Sequence, residues 1–255
     1  VMKILVCVKR VCAPGSKINV TEDGLAVDTN NLGFTTSPHE ECALEEAVQI
    51  AEREEGEVTV LTMGPAESVE QLRYAASVGA HKAVLIPTDG AAVDPQRTAA
   101  AITSAINELE AEDGQFDLIM FGNESADSGG FQVGIRAAYA LGRPIINGVK
   151  KVELDGDTVV AMRAVDVGVE VYHLPRPAVL GIKEGINLPR YPTMRGRLAS
   201  KKAEIMEMSS DGPVGGQGLV KLHRAPEVAS TTVILGEGPE AAPAVVDILE
   251  EIGLI

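Results

Sequence analysis

The chain has 255 residues, 45% of them hydrophobic and 23% charged, an ordinary globular composition long enough for one large α/β domain or a domain with an arm. Lys and Arg number 22 against 37 Asp and Glu; the formal charge of -15 opposes the counterion release behind non-specific nucleic-acid binding, and 3% aromatic content leaves few stacking platforms. No nucleic-acid partner is therefore expected, and three cysteines without a metal-ligand spacing suit a reducing compartment.

Val1 to Val6 run straight into a strand, without the layout of an export signal, and no apolar run approaches the roughly 20 residues of a membrane helix, so no membrane insertion is expected. Short runs rich in Val, Ile and Leu at Lys3–Val8, Glu57–Met63, Lys82–Ile86 and Phe116–Phe121 read as strands buried on both faces. Helical periods separate them. Ser37 and Pro38 open the first, Pro38–Glu55, whose apolar stripe runs through Cys42, Ala43, Ala47, Ile50 and Ala51. Ala66–Val78 and Thr98–Glu112 read the same way, and a further helix ends near Leu141. Strand alternating with helix implies a doubly wound, mainly parallel sheet with flanking helices. A β-rich segment follows: Ile145–Leu154, a turn at Asp155-Gly156-Asp157, then Thr158–Val165, Val169–Leu174 and Ala178–Ile182. Beyond Lys183, Pro189, Pro192, Gly196 and the stretch Gly212 to Gly218 break regular structure, and only Pro243–Ile252 reads as helix. Residues 1–200 form the expected nucleotide-binding domain; residues 201–255 form an extended arm with little core of its own, suited to embracing a partner.

The segment from Gly122 to Gly134 leaves a buried strand and opens a helix. At the carboxyl edge of a doubly wound sheet such a loop borders the ligand crevice, and a helix N-terminus offers free N–H groups to a phosphate. Gly129 and Gly130 would admit close backbone approach; a plain flexible connection is the alternative, since the spacing fits neither the Rossmann nor the P-loop pattern. Lys9–Thr36 and Gly64-Pro65 should border the same crevice. His39, His81, His173 and His223 are scattered, Cys7 reads as a core residue, and Glu45-Glu46 reads as a solvated helix face. Without a nucleophile or acid/base set, no catalytic residue is expected, and the pattern favours carrying over transforming. Residues 183–202 are cationic and interleave Leu188, Tyr191, Met194 and Leu198 with Arg190, Arg195 and Arg197, a composition for meeting a partner or, alternatively, an ordered interdomain loop.

Val8-Lys9-Arg10-Val11, Ser37-Pro38 before Ala43-Leu44-Glu45-Glu46-Ala47, Gly64-Pro65-Ala66, Gly79-Ala80 and Asn187-Leu188-Pro189-Arg190-Tyr191 follow in order. Arg163, Asp166, Gly168 and Glu170 then lead to Pro177-Ala178-Val179-Leu180. In these motifs the sequence resembles the β subunit of electron transfer flavoproteins over nearly its whole length. The resemblance implies an adenine nucleotide hydrolase-like fold in an electron-carrier subunit that pairs with a larger α subunit. It implies FAD held mainly by α and a structural AMP in β. Electrons would pass from flavin-containing dehydrogenases to a quinone oxidoreductase or similar acceptor, in the cytoplasm or, in a eukaryote, the mitochondrial matrix.

By position, the resemblance places nucleotide contacts at Cys7, Ser37, Pro38, His39, Glu40 and Met63. It places others at Asp127, Ser128, Gly129, Gly130, Phe131, Gln132, Val133, Gly134, Ile135, Arg136, Ala137 and Ala138. Pro14 and His39 fall where relatives approach the flavin from the β side, often with aromatic residues. The recognition loop corresponds to residues 182–204, with Leu188, Tyr191, Met194, Arg195 and Arg197 meeting the dehydrogenase and Met194 as its apolar anchor. Val167, Gly181 and Ser37 depart from the common pattern. The glycine loop lacks the Asp-Gly-Asp-Thr run of electron-bifurcating relatives, which carry a second FAD in place of AMP, so AMP is favoured. A bifurcating subunit and a stand-alone nucleotide-binding module of the universal-stress type are the alternatives.

Overall fold

The apolar runs of the first half become parallel strands because each must bury both faces. In the computed structural model, which describes residues 1–90, 94–209, 216–226 and 231–255, β1 (Lys3–Cys7) has Ile4, Leu5 and Val6 fully buried. The chain then makes two small antiparallel pairs, β2 (Arg10–Cys12) with β5 (Phe34–Thr36) and β3 (Asn19–Val20) with β4 (Val27–Asp28). It continues through α1 (Pro38–Arg53), β6 (Glu57–Gly64), a 3-10 turn at Ala66–Ser68, α2 (Val69–Val78), β7 (Lys82–Pro87), α3 (Pro95–Asp113), β8 (Leu118–Gly122) and α4 (Val133–Leu141). The β-rich segment comprises β9 (Ile145–Asp155), β10 (Thr158–Val165), β11 (Gly168–Pro175) and β12 (Ala178–Ile182). After it come α5 (Met194–Ser200) and β13 (Ile205–Glu207).

One nine-stranded sheet runs β11-β10-β9-β12-β8-β1-β6-β7-β13. All its pairings are parallel except those of β10 with β9 and β11, and the β-rich segment joins the central sheet through the β12–β8 pairing. Successive residues of a strand face opposite sides. Ile4, Val6, Val58 and Val60 therefore meet Leu44 and Ile50 of α1 and Leu72 of α2, while Leu5, Cys7, Leu61 and Ile86 join Ile102 and Ile106 of α3 and Ala137 and Ala138 of α4. Helices thus cover both faces, as doubly wound order requires. From β1 the chain steps through β6 to β7 on one side, and β8 returns on the other side of β1. The order reverses between β1 and β8, which opens a crevice at their carboxyl ends.

Several elements differ from expectation. Helix α3 begins at Pro95, before Thr98, because the Asp94 carboxylate caps it, accepting from the N–H groups of Gln96 at 2.8 Å and Arg97 at 3.2 Å. Glu45 and Glu46 do not form a solvated face; both are buried beneath residues 187–190. The proline-rich stretch after Lys183 holds a helix, α5, whose cap is Thr193 and whose Gly196 is pressed onto Ser77 of α2: a Cβ there would lie 2.2 Å from the Ser77 carbonyl. Strand β13 adds to the edge of β7. Of Gly212 to Gly218, residues up to 215 lie outside the described ones.

Residues 223–255 form a separate unit. Among its described residues are a 3-10 turn at Gly238–Ala241 and α6 (Ala242–Glu251), and none is buried. Val245, Val246, Ile248, Ile252 and Leu254 are exposed.

Candidate functional site

Strand β1 ends at Cys7, in register with Leu61 of β6 and Phe121 of β8, so the mouth of the crevice opens just beyond these residues. Lys9, two residues further, straps it. Its backbone N–H donates to Glu40 Oε2 at 2.9 Å, and its Nζ meets Asp127 Oδ1 at 2.7 Å, tying the loop after β1 to the start of α1 and to the loop after β8. Burial opposes the Asp127 carboxylate, but the bond to Lys9 and the Lys9 charge outweigh it and hold Asp127 below the usual range. Lys9 was not among the nucleotide contacts placed by resemblance, although it opens the loop expected to border the crevice and stands in the Val8-Lys9-Arg10-Val11 motif.

Two helix N-termini face this edge, and their chemistry differs. Ser37 caps α1 with its Oγ accepting from Glu40 N at 3.4 Å, and the acidic side chains of Glu40 and Glu41 already occupy the first turn. Burial pushes Glu40 up to about 8, against the lowering effect of the Lys9 N–H. Helix α1 also presses close to β8, since a Cβ on Gly122 would lie 2.7 Å from Glu40 Cγ. Helix α4 has no acidic residue in its first turn and no side-chain cap from Gln132, so among the described residues nothing caps its leading N–H groups, which can take an anion. Arg136 stands over that end, its Nε donating to Gln132 Oε1 at 3.1 Å.

The loop into α4 is strained in the manner of a ligand cradle. Gly129 at φ 54 and Phe131 at φ 53 both lie in the left-handed region, which a bulky residue such as Phe131 rarely occupies. The Ser125 and Ser128 hydroxyls bond at 2.6 Å, and Gly129 N donates to Ser125 O at 2.9 Å. Among the described residues a Cβ on Gly130 would meet only Pro95 Cγ, at 3.9 Å, which leaves room beside the backbone. Gly134, where a Cβ would lie 3.2 Å from Phe121, lets α4 seat closely on β8. Ala137 and Ala138 are buried in that seat, whereas Phe131, Ile135 and Arg136 are exposed.

The remaining residues occupy distinct places. Cys7 is buried, and burial followed by the nearby Glu40 charge pushes its thiol up, which keeps it protonated and without nucleophilic character. Met63 lies near the end of β6, half-buried; Pro38 is exposed at the first turn of α1; Pro14 lies in the exposed turn beyond β2. His39 Nδ1 accepts from Glu184 N at 2.9 Å, so the proton of the neutral ring sits on Nε2, 3.4 Å from Glu124 Oε1. His39 thereby links the crevice loop to the segment that follows β12.

That segment is held as a platform. Arg190 bonds Glu45 through Nε at 2.9 Å and Glu52 through Nη1 at 2.6 Å, and Asn187 donates to the Cys42 carbonyl and to Glu46 Oε2, each at 3.0 Å. Burial raises Glu46, while the Arg190 hydrogen bonds overcome burial and lower Glu45. Arg73 of α2 donates to the carbonyls of Ser200 at 2.9 Å and Lys201 at 2.7 Å. Arg190 is therefore a clamp that ties this segment to Glu45 and Glu52 of α1. Leu188 at 89%, Tyr191 at 90% and Met194 at 75% exposure stand clear of this platform, with Arg195 and Arg197 exposed beside them. Neither Asn187 nor Glu46 carried a sequence signal for the clamp.

Residues 24–212 match the profile of the electron transfer flavoprotein domain. The chain is 36% identical over 208 residues to a protein named electron transfer flavoprotein subunit beta from Mycobacterium tuberculosis (strain ATCC 25618 / H37Rv), covering 79% of this chain and 77% of that one. Proteins of the same name from Bacillus subtilis (strain 168), 33% identical over 82% of this chain and 80% of theirs, and Thermoanaerobacterium thermosaccharolyticum, 32% identical over 82% and 79%, are also similar. With the match running through the crevice loop, the β-rich segment and the clamped platform alike, the chain belongs to the electron transfer flavoprotein family, on its β-subunit side.

Proposed function

We propose that the chain is the β subunit of a heterodimeric electron transfer flavoprotein, with AMP in the crevice between β1 and β8 and FAD held mainly by an α subunit. The open N-terminus of α4, flanked by Gly129-Gly130 and Arg136 and facing the Lys9–Asp127 strap, carries this reading. The free N–H groups suit the phosphate of AMP, and Gly130 leaves space for it to approach. Pro14 and His39 are the residues that would face the flavin from this side, and the bound flavin would supply the one- and two-electron chemistry. The chain's own work would be to hold α, to fix His39 through Glu184, and to present Leu188, Tyr191, Met194, Arg195 and Arg197 to a flavin-containing dehydrogenase. A quinone oxidoreductase or similar protein would then receive the electrons. The exposed apolar residues of α6 suit burial against α as the end of a 201–255 arm.

Expression of the chain with and without a matching α subunit tests this. The chain alone is expected to be colourless, and the purified pair to carry one FAD per heterodimer. Stoichiometric flavin on the chain alone, or failure to form a pair, would contradict it.

A further inference from the structure

A second cavity, of about 310 Å³, lies at the carboxyl edge of the sheet, lined by Asn123, Asn147, Gly148, Lys150, Arg163 and Lys183 with Ala164 and Val165. It exists because β9 bulges on both of its edges. Against β12, the partner of Gly181 is Asn147 and that of Ile182 is Val149, which leaves Gly148 out of the ladder; against β10, Lys151 pairs with Met162 and Val149 with Arg163, which leaves out Lys150. Gly148 adopts φ 74, a conformation that favours glycine, and both unpaired residues line the cavity. Bulges re-aim side chains, and here two of them fall at the same point of β9.

What they shape is cationic. Three of the lining residues are cations and none is a carboxylate, in a chain of net charge -15. Among the described residues no carboxylate pairs with the Lys183 ammonium. Among the same residues Lys150 Nζ donates to the Glu184 carbonyl alone, a neutral acceptor. Glu170 takes the Nε of Arg163, which leaves both Nη groups, and is itself engaged by the Tyr172 hydroxyl at 2.8 Å. Asn123 accepts from Gly148 N with its Oδ1 at 2.8 Å, so its amide NH2 is the part left to donate. Asn147 is seated against Gly181, where a Cβ would lie 2.1 Å from Asn147 Oδ1. The cavity is at the lower end of small-molecule sites, about 300 Å³, and so exceeds what a bare ion needs.

We infer that this cavity binds the phosphate or carboxylate group of a small anionic molecule, at a site separate from the nucleotide crevice. Clustered donors in a fixed frame favour an oxyanion, and Arg163 offers the paired N–H geometry that such groups accept.

Calorimetric titration of the full chain, first saturated with AMP, with inorganic pyrophosphate and separately with malonate tests the inference. Saturable uptake of at least one probe is expected, weakened at least tenfold by Lys183→Glu and by a smaller factor by Lys183→Gln, with AMP content unchanged. Uptake of pyrophosphate alone assigns phosphate chemistry, and of malonate alone carboxylate chemistry. No uptake of either, or equal uptake by both variants and the parent, overturns the site. A chain that retains no AMP would fail the nucleotide reading by itself, and the dependence on Lys183 would still be measured on the empty protein.

Discussion

The loop from Asn123 to Gln132 and the segment from Asn187 to Ser200 both leave the same edge of the sheet, but they are built in opposite ways. The first is held by the partly exposed Lys9–Asp127 pair, by the contact of Glu124 with His39, by the Gly148 N–H on Asn123 and by a serine–serine bond, and it carries two residues in the left-handed region. The second is clamped by Arg190, Asn187 and Arg73 onto α1 and α2, with buried carboxylates beneath it. A site that must admit and then enclose a small molecule gains from a loop whose order is completed by the ligand. A surface that must meet a large partner gains from being preformed, because ordering it during encounter would subtract from affinity.

The largest effect expected concerns Glu40, which anchors the crevice side. Its folded value of about 8 lies above its ordinary 4.5, so over that window the folded state holds a proton that the unfolded chain has released. Stability should therefore fall as pH rises from about 4.5 to about 8 and level off above. Glu40→Gln keeps an acceptor for Lys9 N and should flatten this slope, a difference of several kcal/mol across the window in urea melts at stepped pH. Equal slopes in parent and variant would place the proton elsewhere.

Gly130→Val separates ligand from fold, since the added Cβ finds ordinary space beside Pro95. Loss of AMP retention is expected with the sheet intact. A bound ligand at a hundredfold its Kd stabilises by about 2.7 kcal/mol, so the variant should melt lower than the AMP-loaded parent, and added AMP should restore part of the difference. Full AMP content in the variant would remove this loop as the phosphate cradle.

On the clamped side, Arg190→Ala leaves Glu45, only 5% exposed, without its cation. Loss of one partner of a buried pair costs about 3–5 kcal/mol; with the Arg190 side chain 35% exposed, about 2 kcal/mol is expected in chemical denaturation. Arg195→Ala, at an exposed position, should stay within about 0.5 kcal/mol. Similar losses for the two variants would mean that Arg190 is a surface charge and not a clamp. Met194→Ala should leave stability, FAD and AMP unchanged and weaken dehydrogenase docking by about 2 kcal/mol, read as slower dehydrogenase-linked flavin reduction below the Kd of the complex with unchanged reduction by dithionite. An unaltered rate would take Met194 out of the interface.

Much of the sheet was legible because buried parallel strands leave continuous apolar runs and the helices between them keep a 3.6-residue period. The position of the crevice was legible through the alternation of strand and helix, which puts the loop after β8 at the carboxyl edge. The clamp was not, because the burial of Glu45 and Glu46 is decided by Asn187 and Arg190 more than 140 residues away, and no local pattern encodes a carboxylate whose cover arrives so late. Helix α5 escaped because seven residues hold too few turns to show a period, and it is packing of Gly196 on α2 that fixes it. Other signals were present and unused: Asp94-Pro95 marks a helix start, and Gly148 inside a strand pattern marks a bulge.

The central claim is that the crevice holds AMP while the flavin belongs to the heterodimer. Its most direct test is mass identification of the nucleotides released when the purified complex with α is denatured. One AMP and one FAD per heterodimer is the predicted result. Two FAD and no AMP would place a second flavin in the crevice, and ATP released from a monomeric chain would assign it to a stand-alone nucleotide-binding module; either contradicts the account.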